Sequence, residues 1–131
     1  MIVVDTNIIT YFYLKTDLSE LAENLYKKES DWVVPMLWRS EFRNVLTTFI
    51  KREFISLNDG IQILELSEAL FAEKEYEINS VQVLNLACTS GCSAYDCEFV
   101  SLAENLNISL VTMDKQVLKA FPSLAISPRN Y

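Results

Sequence analysis

The chain has 131 residues, 50% of them apolar and 22% charged, which suits one compact domain (residues 1–131) and excludes a disordered polypeptide. With 18 acidic residues against 11 basic ones, the formal charge of −7 argues against a protein that grips nucleic acid through a broad basic surface. The absence of histidine excludes histidine-containing zinc sites and the serine–histidine and cysteine–histidine hydrolase schemes.

Ile2 to Val4 read as a buried strand that runs directly into Asp5. Thr6 to Tyr13 then form a short helix with Ile8, Ile9 and Phe12 on one side. Asp17 or Ser19 is expected to cap a second helix carrying Leu18, Leu21, Ala22 and Leu25. Trp32-Val33-Val34 before Pro35 is a second short strand. The following helix has the clearest pattern, with Trp38, Phe42, Val45, Leu46, Phe49 and Ile50 in one apolar stripe. A further helix starts near Asn58 and carries Ile61, Ile63, Leu64, Ala69 and Leu70.

Glu73 to Ile78 suggest a brief third strand, and Val81 to Thr89 another helix that stops near Gly91. Ser93 to Asn105 are helical, with Tyr95, Phe99, Val100, Leu102, Ala103 and Leu106 in phase. Ile108 to Thr112 form a strand, Asp114 to Phe121 a short helix, and Leu124 to Ile126 an edge strand before a loose tail. Strands alternating with helices predict an α/β fold: a mainly parallel sheet covered on both faces. No apolar run approaches the roughly 18 residues of a membrane span. No secretory signal is visible, and Cys88, Cys92 and Cys97 make no CxxC pair, so free thiols in a cytoplasmic protein are expected.

Four acidic residues stand out by position. Asp5 ends one strand and Asp114 lies just past another, although Asp is also a favoured helix N-cap. Glu41 falls beside the apolar stripe of its helix, where it can extend to water or turn into a cleft. Asp96 lies inside the stripe of its own helix, in a Ser93-x-x-Asp96 arrangement that also fits a capping box. Glu98 and Glu104 fall on other sides and read as solvated, as does the run Glu65, Glu68, Glu73, Glu75 and Glu77. Carboxylates gathered at one sheet rim repel by roughly 4 kcal/mol per pair at about 4 Å and an effective dielectric of 20. A divalent cation relieves that cost, and oxygen-only ligands favour Mg²⁺ or Mn²⁺ over zinc.

These residues resemble the PIN-domain nucleases, particularly the VapC-type ribonuclease toxins. The resemblance rests on Ile2-Val3-Val4-Asp5-Thr6-Asn7, on Ser40-Glu41-Phe42-Arg43-Asn44-Val45-Leu46, and on Ser93-Ala94-Tyr95-Asp96 leading into Ser101-Leu102-Ala103-Glu104. It ends with Leu110-Val111-Thr112-Met113-Asp114. It implies a three-layer α/β/α sandwich with strand order 3-2-1-4-5. It also implies that Asp5, Glu41, Asp96 and Asp114 are catalytic metal ligands for Mg²⁺ or Mn²⁺, supported by Asn7 and Thr112. RNA as substrate, a homodimer and a cognate antitoxin follow as expected partners. Arg39, Arg43, Lys115 and Lys119 are candidates for phosphate contact that the family motif does not fix. Tyr11, Phe12 and Tyr13 line either a partner groove or, more simply, the core.

Two other readings compete. A haloacid-dehalogenase-type phosphohydrolase also opens on a strand ending in a nucleophilic Asp, but it needs a second Asp where this chain has Asn7. A non-catalytic PIN-like module would use the same acidic rim only to bind a partner.

Overall fold

The computed structural model describes residues 1–131. Five strands form one parallel sheet: β1 (Ile2–Val4), β2 (Trp32–Pro35), β3 (Glu75–Tyr76), β4 (Leu110–Val111) and β5 (Ala125–Ile126). Their order is β3-β2-β1-β4-β5, the order the resemblance implies. Val3 pairs with Val33 on one side and Leu110 on the other, so β1 is central. Its residues are buried on both faces, which is why it reads as an unbroken apolar run.

Seven helices connect and cover the sheet: α1 (Thr6–Tyr13), α2 (Ser19–Lys28), α3 (Leu37–Lys51), α4 (Leu57–Phe71), α5 (Ser80–Ser90), α6 (Ala94–Leu106) and α7 (Lys115–Ala120). Right-handed crossovers put α1 to α4 over one face, because β1, β2 and β3 step in one direction. The return from β3 to β4 and on to β5 puts α5 to α7 over the other. α6 packs against β1, β2 and β4 through Phe99, Val100, Leu102 and Ala103, all buried. Trp38, Phe42 and Leu46 of α3 are buried on the opposite side, and Trp38 and Phe71 lie 4.9 Å apart between ring centres. Phe12 packs on Tyr26 and Trp32, and Tyr13 on Phe42, so these two aromatics serve the core.

Several expectations are corrected. Neither Asp17 nor Ser19 caps α2: Leu18 holds the cap position with no side-chain bond. Ser19 Oγ instead accepts from Thr16 N at 2.9 Å and donates to Leu14 O at 2.7 Å. The fully buried positions of α4 are Gly60, Ser67 and Phe71; of the expected stripe Ile63, Leu64 and Leu70 are half-buried against the core, while Ile61 and Ala69 are exposed. Gly60 lets α4 approach α3 closely, since a Cβ there would lie 2.7 Å from Ile50 Cδ1. Tyr95, in phase with the α6 stripe, is exposed. The C-terminal tail is packed: Pro128 is buried and Tyr131 lies against the core. All three cysteines are free thiols, two of them buried.

Candidate metal centre

The winding of the sheet switches between the parallel neighbours β1 and β4: the chain steps outward from β1 through β2 and β3, then returns to add β4 and β5 on the other side. Ligand crevices in open α/β sheets form at such switch points, beyond the carboxyl ends of the strands. Asp5 follows β1 directly, and Thr112 and Asp114 follow β4.

Asp5 is the N-cap of α1, its Oδ1 accepting from Ile8 N at 3.0 Å. Its Oδ2 accepts a hydrogen bond from Thr112 Oγ1, and the same hydroxyl accepts from Asp114 N at 3.0 Å. Thr112, only 1% exposed, thus ties the end of β4 to the end of β1. Asp114 caps α7, with Oδ1 taking Gln116 N at 2.8 Å and Val117 N at 3.0 Å. Ser93 and Asp96 close the capping box of α6 through bonds of 3.0 and 3.3 Å. Glu41, half-buried on α3, receives Thr6 Oγ1 on its Oε1 at 2.7 Å.

The capping and cavity readings therefore hold together. Asp5, Glu41, Asp96 and Asp114 all line one cavity with Thr6, Asn7 and Thr112, floored by Phe99, Leu110 and Val117. In Asp96, Asp114 and Glu41, one carboxylate oxygen is clamped by the protein and the other takes no protein donor.

None of the four carboxylates has a basic partner. Ion pairs form elsewhere, Glu29 with the N-terminal amine, Asp31 with Lys74, and Glu68 and Glu75 with Arg39. Burial pushes the Asp5 carboxyl up to about 6 against the hydrogen bonds from Thr112 and Ile8, and the charges of Asp114 and Glu41 push the same way. Glu41 is raised too, by burial and by Asp96, while the Thr6 hydrogen bond opposes the rise.

This donor set is all oxygen. Cys92 is within electrostatic reach of Asp96 and Asp114, but burial raises its thiol further into the protonated form, which is a poor ligand. The chemistry fits a hard divalent cation. The spacing is looser than the chemistry, since no three acidic side chains stand close enough to hold one ion together.

The basic candidates are not gathered with the acids. Arg39 is committed elsewhere, its guanidinium held by Glu75 at 2.6 Å and Glu68 at 3.1 Å. Arg43, Lys115 and Lys119 are exposed, form no ion pair and do not line the cavity. Glu75 itself is no solvated residue, because its side chain is 9% exposed and also accepts from Trp38 Nε1 at 2.8 Å. Glu98 is not the solvated residue its helical position suggests: it is half-buried, its carboxyl raised by burial and by the charge of Glu41. Thr6, part of the opening motif but given no role there, is buried in the cavity wall. Both are set by Glu41 on α3, a partner that no local period reveals.

Comparison with known proteins places this geometry in context. The family described as the PIN domain matches residues 2–123. Ribonuclease VapC3 from Pyrobaculum aerophilum is 29% identical over 126 residues, covering 94% of this chain and 96% of its own. The crystal structure of PAE2754 from the same organism superposes with a TM-score of 0.77 at 20% identity, over 98% of this chain and 90% of that one. A toxin–antitoxin complex from Klebsiella pneumoniae gives a TM-score of 0.69 at 14% identity, covering 100% of both chains.

Proposed function

Because the chain belongs to the PIN domain family, we propose that it is a metal-dependent endoribonuclease acting on RNA phosphodiester bonds, and the toxin of a toxin–antitoxin pair. The observation that carries this reading is the cavity at the β1/β4 switch point, lined by four carboxylates without a basic partner. A fold whose net stability is about 5–15 kcal/mol keeps such a charge cluster at a cost that catalysis or binding must justify.

Asp5, Glu41, Asp96 and Asp114 would hold Mg²⁺ or Mn²⁺, with Asn7 and Thr112 in support. When bound, such a cation supplies Lewis-acid stabilisation of phosphodiester charge and lowers the pKa of water. The protein's own part is to hold the carboxylates. Thr112 and Ile8 lock both oxygens of Asp5, and the α6 and α7 caps each anchor one oxygen of Asp96 and Asp114. Phe99, Leu110 and Val117 supply the apolar part of the cavity lining. Arg43 and Lys115, exposed and uncommitted, are the side chains left to meet RNA phosphates. Arg39 is not among them.

An antitoxin partner is supported by the likeness to the Klebsiella toxin–antitoxin complex. The charge of −7 suits a partner that brings a basic segment. A homodimer and a cytoplasmic location complete the reading.

Incubating the purified chain with RNA tests it. Cleavage with Mg²⁺ or Mn²⁺ that stops in EDTA, and is lost in Asp5→Asn and Asp96→Asn, is the expected result. Undiminished cleavage by both variants would sink it. The wide spacing of the carboxylates favours one second reading, an acidic module that binds without cutting. Metal binding with no turnover of any of a varied set of RNAs selects that one.

A further inference from the structure

Thr6 is the first residue of α1, and its position in that helix decides what its hydroxyl can do. A helical Thr commonly bonds the carbonyl a turn earlier, but at the first residue that carbonyl belongs to the strand. Its Oγ1 instead reaches across 35 residues of sequence to Glu41 Oε1 at 2.7 Å. Thr10 Oγ1 donates to Thr6 O at 2.9 Å, fastening the helix start from which the hydroxyl projects. Thr6 is 7% exposed, and both partners line the same cavity.

We propose that Thr6 is a positioning residue that holds the Glu41 carboxylate in the cavity, so that Glu41 Oε2 is presented with the free oxygens of Asp96 and Asp114. This rests on the metal-site reading above.

The physical case is one of rigidity. Glu41 has a long side chain that loses up to about 2 kcal/mol of rotamer freedom when fixed. No basic residue or backbone amide holds it, and Thr6 is its one protein hydrogen-bond donor. Thr6 has restricted χ1 freedom and is only 7% exposed, so the place of its Oγ1 is set before any ion arrives. The dipeptide Asp5-Thr6 thereby does two jobs from adjacent positions: Asp5 anchors the β1/β4 side, and Thr6 fixes the acid contributed by α3.

Thr6→Val keeps the shape and removes the hydroxyl, whereas Thr6→Ser keeps the hydroxyl and removes a methyl. Calorimetry of the EDTA-stripped full chain with Mn²⁺ is expected to show about tenfold or greater weakening in Thr6→Val, in the range seen when a ligand's supporting partner is lost. Thr6→Ser is expected to stay within about threefold of wild type. RNA turnover is expected to follow in kcat, with KM within about twofold, since Thr6 acts through Glu41 rather than on substrate. Crystal structures of metal-free wild type and Thr6→Val give a readout independent of metal and RNA: Glu41 leaves its wild-type rotamer in the variant.

Equal Mn²⁺ affinity in wild type and Thr6→Val, or an unmoved Glu41, overturns the proposal. So does a Thr6→Ser variant as impaired as Thr6→Val, which would assign the effect to the methyl. If the wild type binds Mn²⁺ but cuts no RNA, the nuclease reading fails alone, and Thr6 is judged on binding and on the Glu41 rotamer. If the wild type binds no Mn²⁺, the metal-site reading fails and the rotamer decides whether Thr6 holds Glu41.

Discussion

The guanidinium of Arg39 forks onto Glu75, with Nε 2.6 Å from Oε2 and Nη2 2.8 Å from Oε1. The pair joins α3 to β3, and the indole of Trp38 donates to the same Oε2. Arg39 is therefore a structural bracket at the sheet edge. Arg39→Ala is expected to cost about 1–3 kcal/mol by leaving a largely buried carboxylate half-paired. Arg39 and Trp38 hold the Glu75 carboxyl below its usual value of 4.5. The stabilisation is then present above about pH 4.5 and is lost as pH falls through the lowered pKa. Denaturant titrations at about pH 7 and pH 3 should show the gap between wild type and Glu75→Gln closing at the acid end. A gap independent of pH would contradict the pairing.

Asp5 works in the opposite sense. With its carboxyl pushed up to about 6 from 3.8, the metal-free folded state keeps a proton that the unfolded chain has released. Its contribution to stability is complete below about pH 4 and declines as pH rises through about 6. In EDTA, Asp5→Asn should remove that decline, so that the variant gains on wild type between about pH 4 and 7. Parallel stability curves for the two proteins would refute the assignment.

Metal binding should reverse the penalty at neutral pH. A ligand at 100 times its Kd stabilises the folded state by about 2.7 kcal/mol, which for a chain of this size raises Tm by several degrees. Mn²⁺ or Mg²⁺ should produce such a rise in wild type and not in Asp5→Asn or Asp114→Asn. Asparagine caps helices as well as aspartate does, so both variants should keep their helix starts. A full Tm rise in Asp114→Asn would remove that residue from the metal set.

Substrate contacts can be separated from support by salt. Arg43→Ala and Lys115→Ala should raise KM for RNA and lower the slope of log affinity against log salt by about 0.7 per lost contact to a single strand. Their kcat should hold. Arg39→Ala should leave both KM and the slope unchanged, because Glu75 and Glu68 already occupy its guanidinium. An Arg39 variant with the strongest salt effect would return that residue to the substrate path.

The sheet was legible because its strands are short apolar runs with turn signals between them. Parallel strands buried on both faces read as Ile2-Val3-Val4 and Trp32-Val33-Val34 do. Ser93-x-x-Asp96 was readable as a capping box, since both partners lie within one turn. The burial of Gly60 and Ser67 in α4 was not, because close approach to Ile50 and a bond to Leu64 O, rather than apolar side chains, mark those positions.

What the sequence determined by itself are the relations carried within a few residues. These are the apolar period of α3, an aspartate directly after a strand, and the spacing of the acids that resembles a PIN nuclease. Tertiary structure alone decided which charges meet. Arg39 and Glu75 lie 36 residues apart and Thr6 and Glu41 lie 35 apart, and no local period encodes either pairing. The switch of strand order between β1 and β4 makes Asp5 and Thr112 neighbours across 107 residues of sequence, with Asp114 beside them. Side-chain partners at that separation are set by strand order and helix packing, so the acids were readable one by one and their cavity only in the fold.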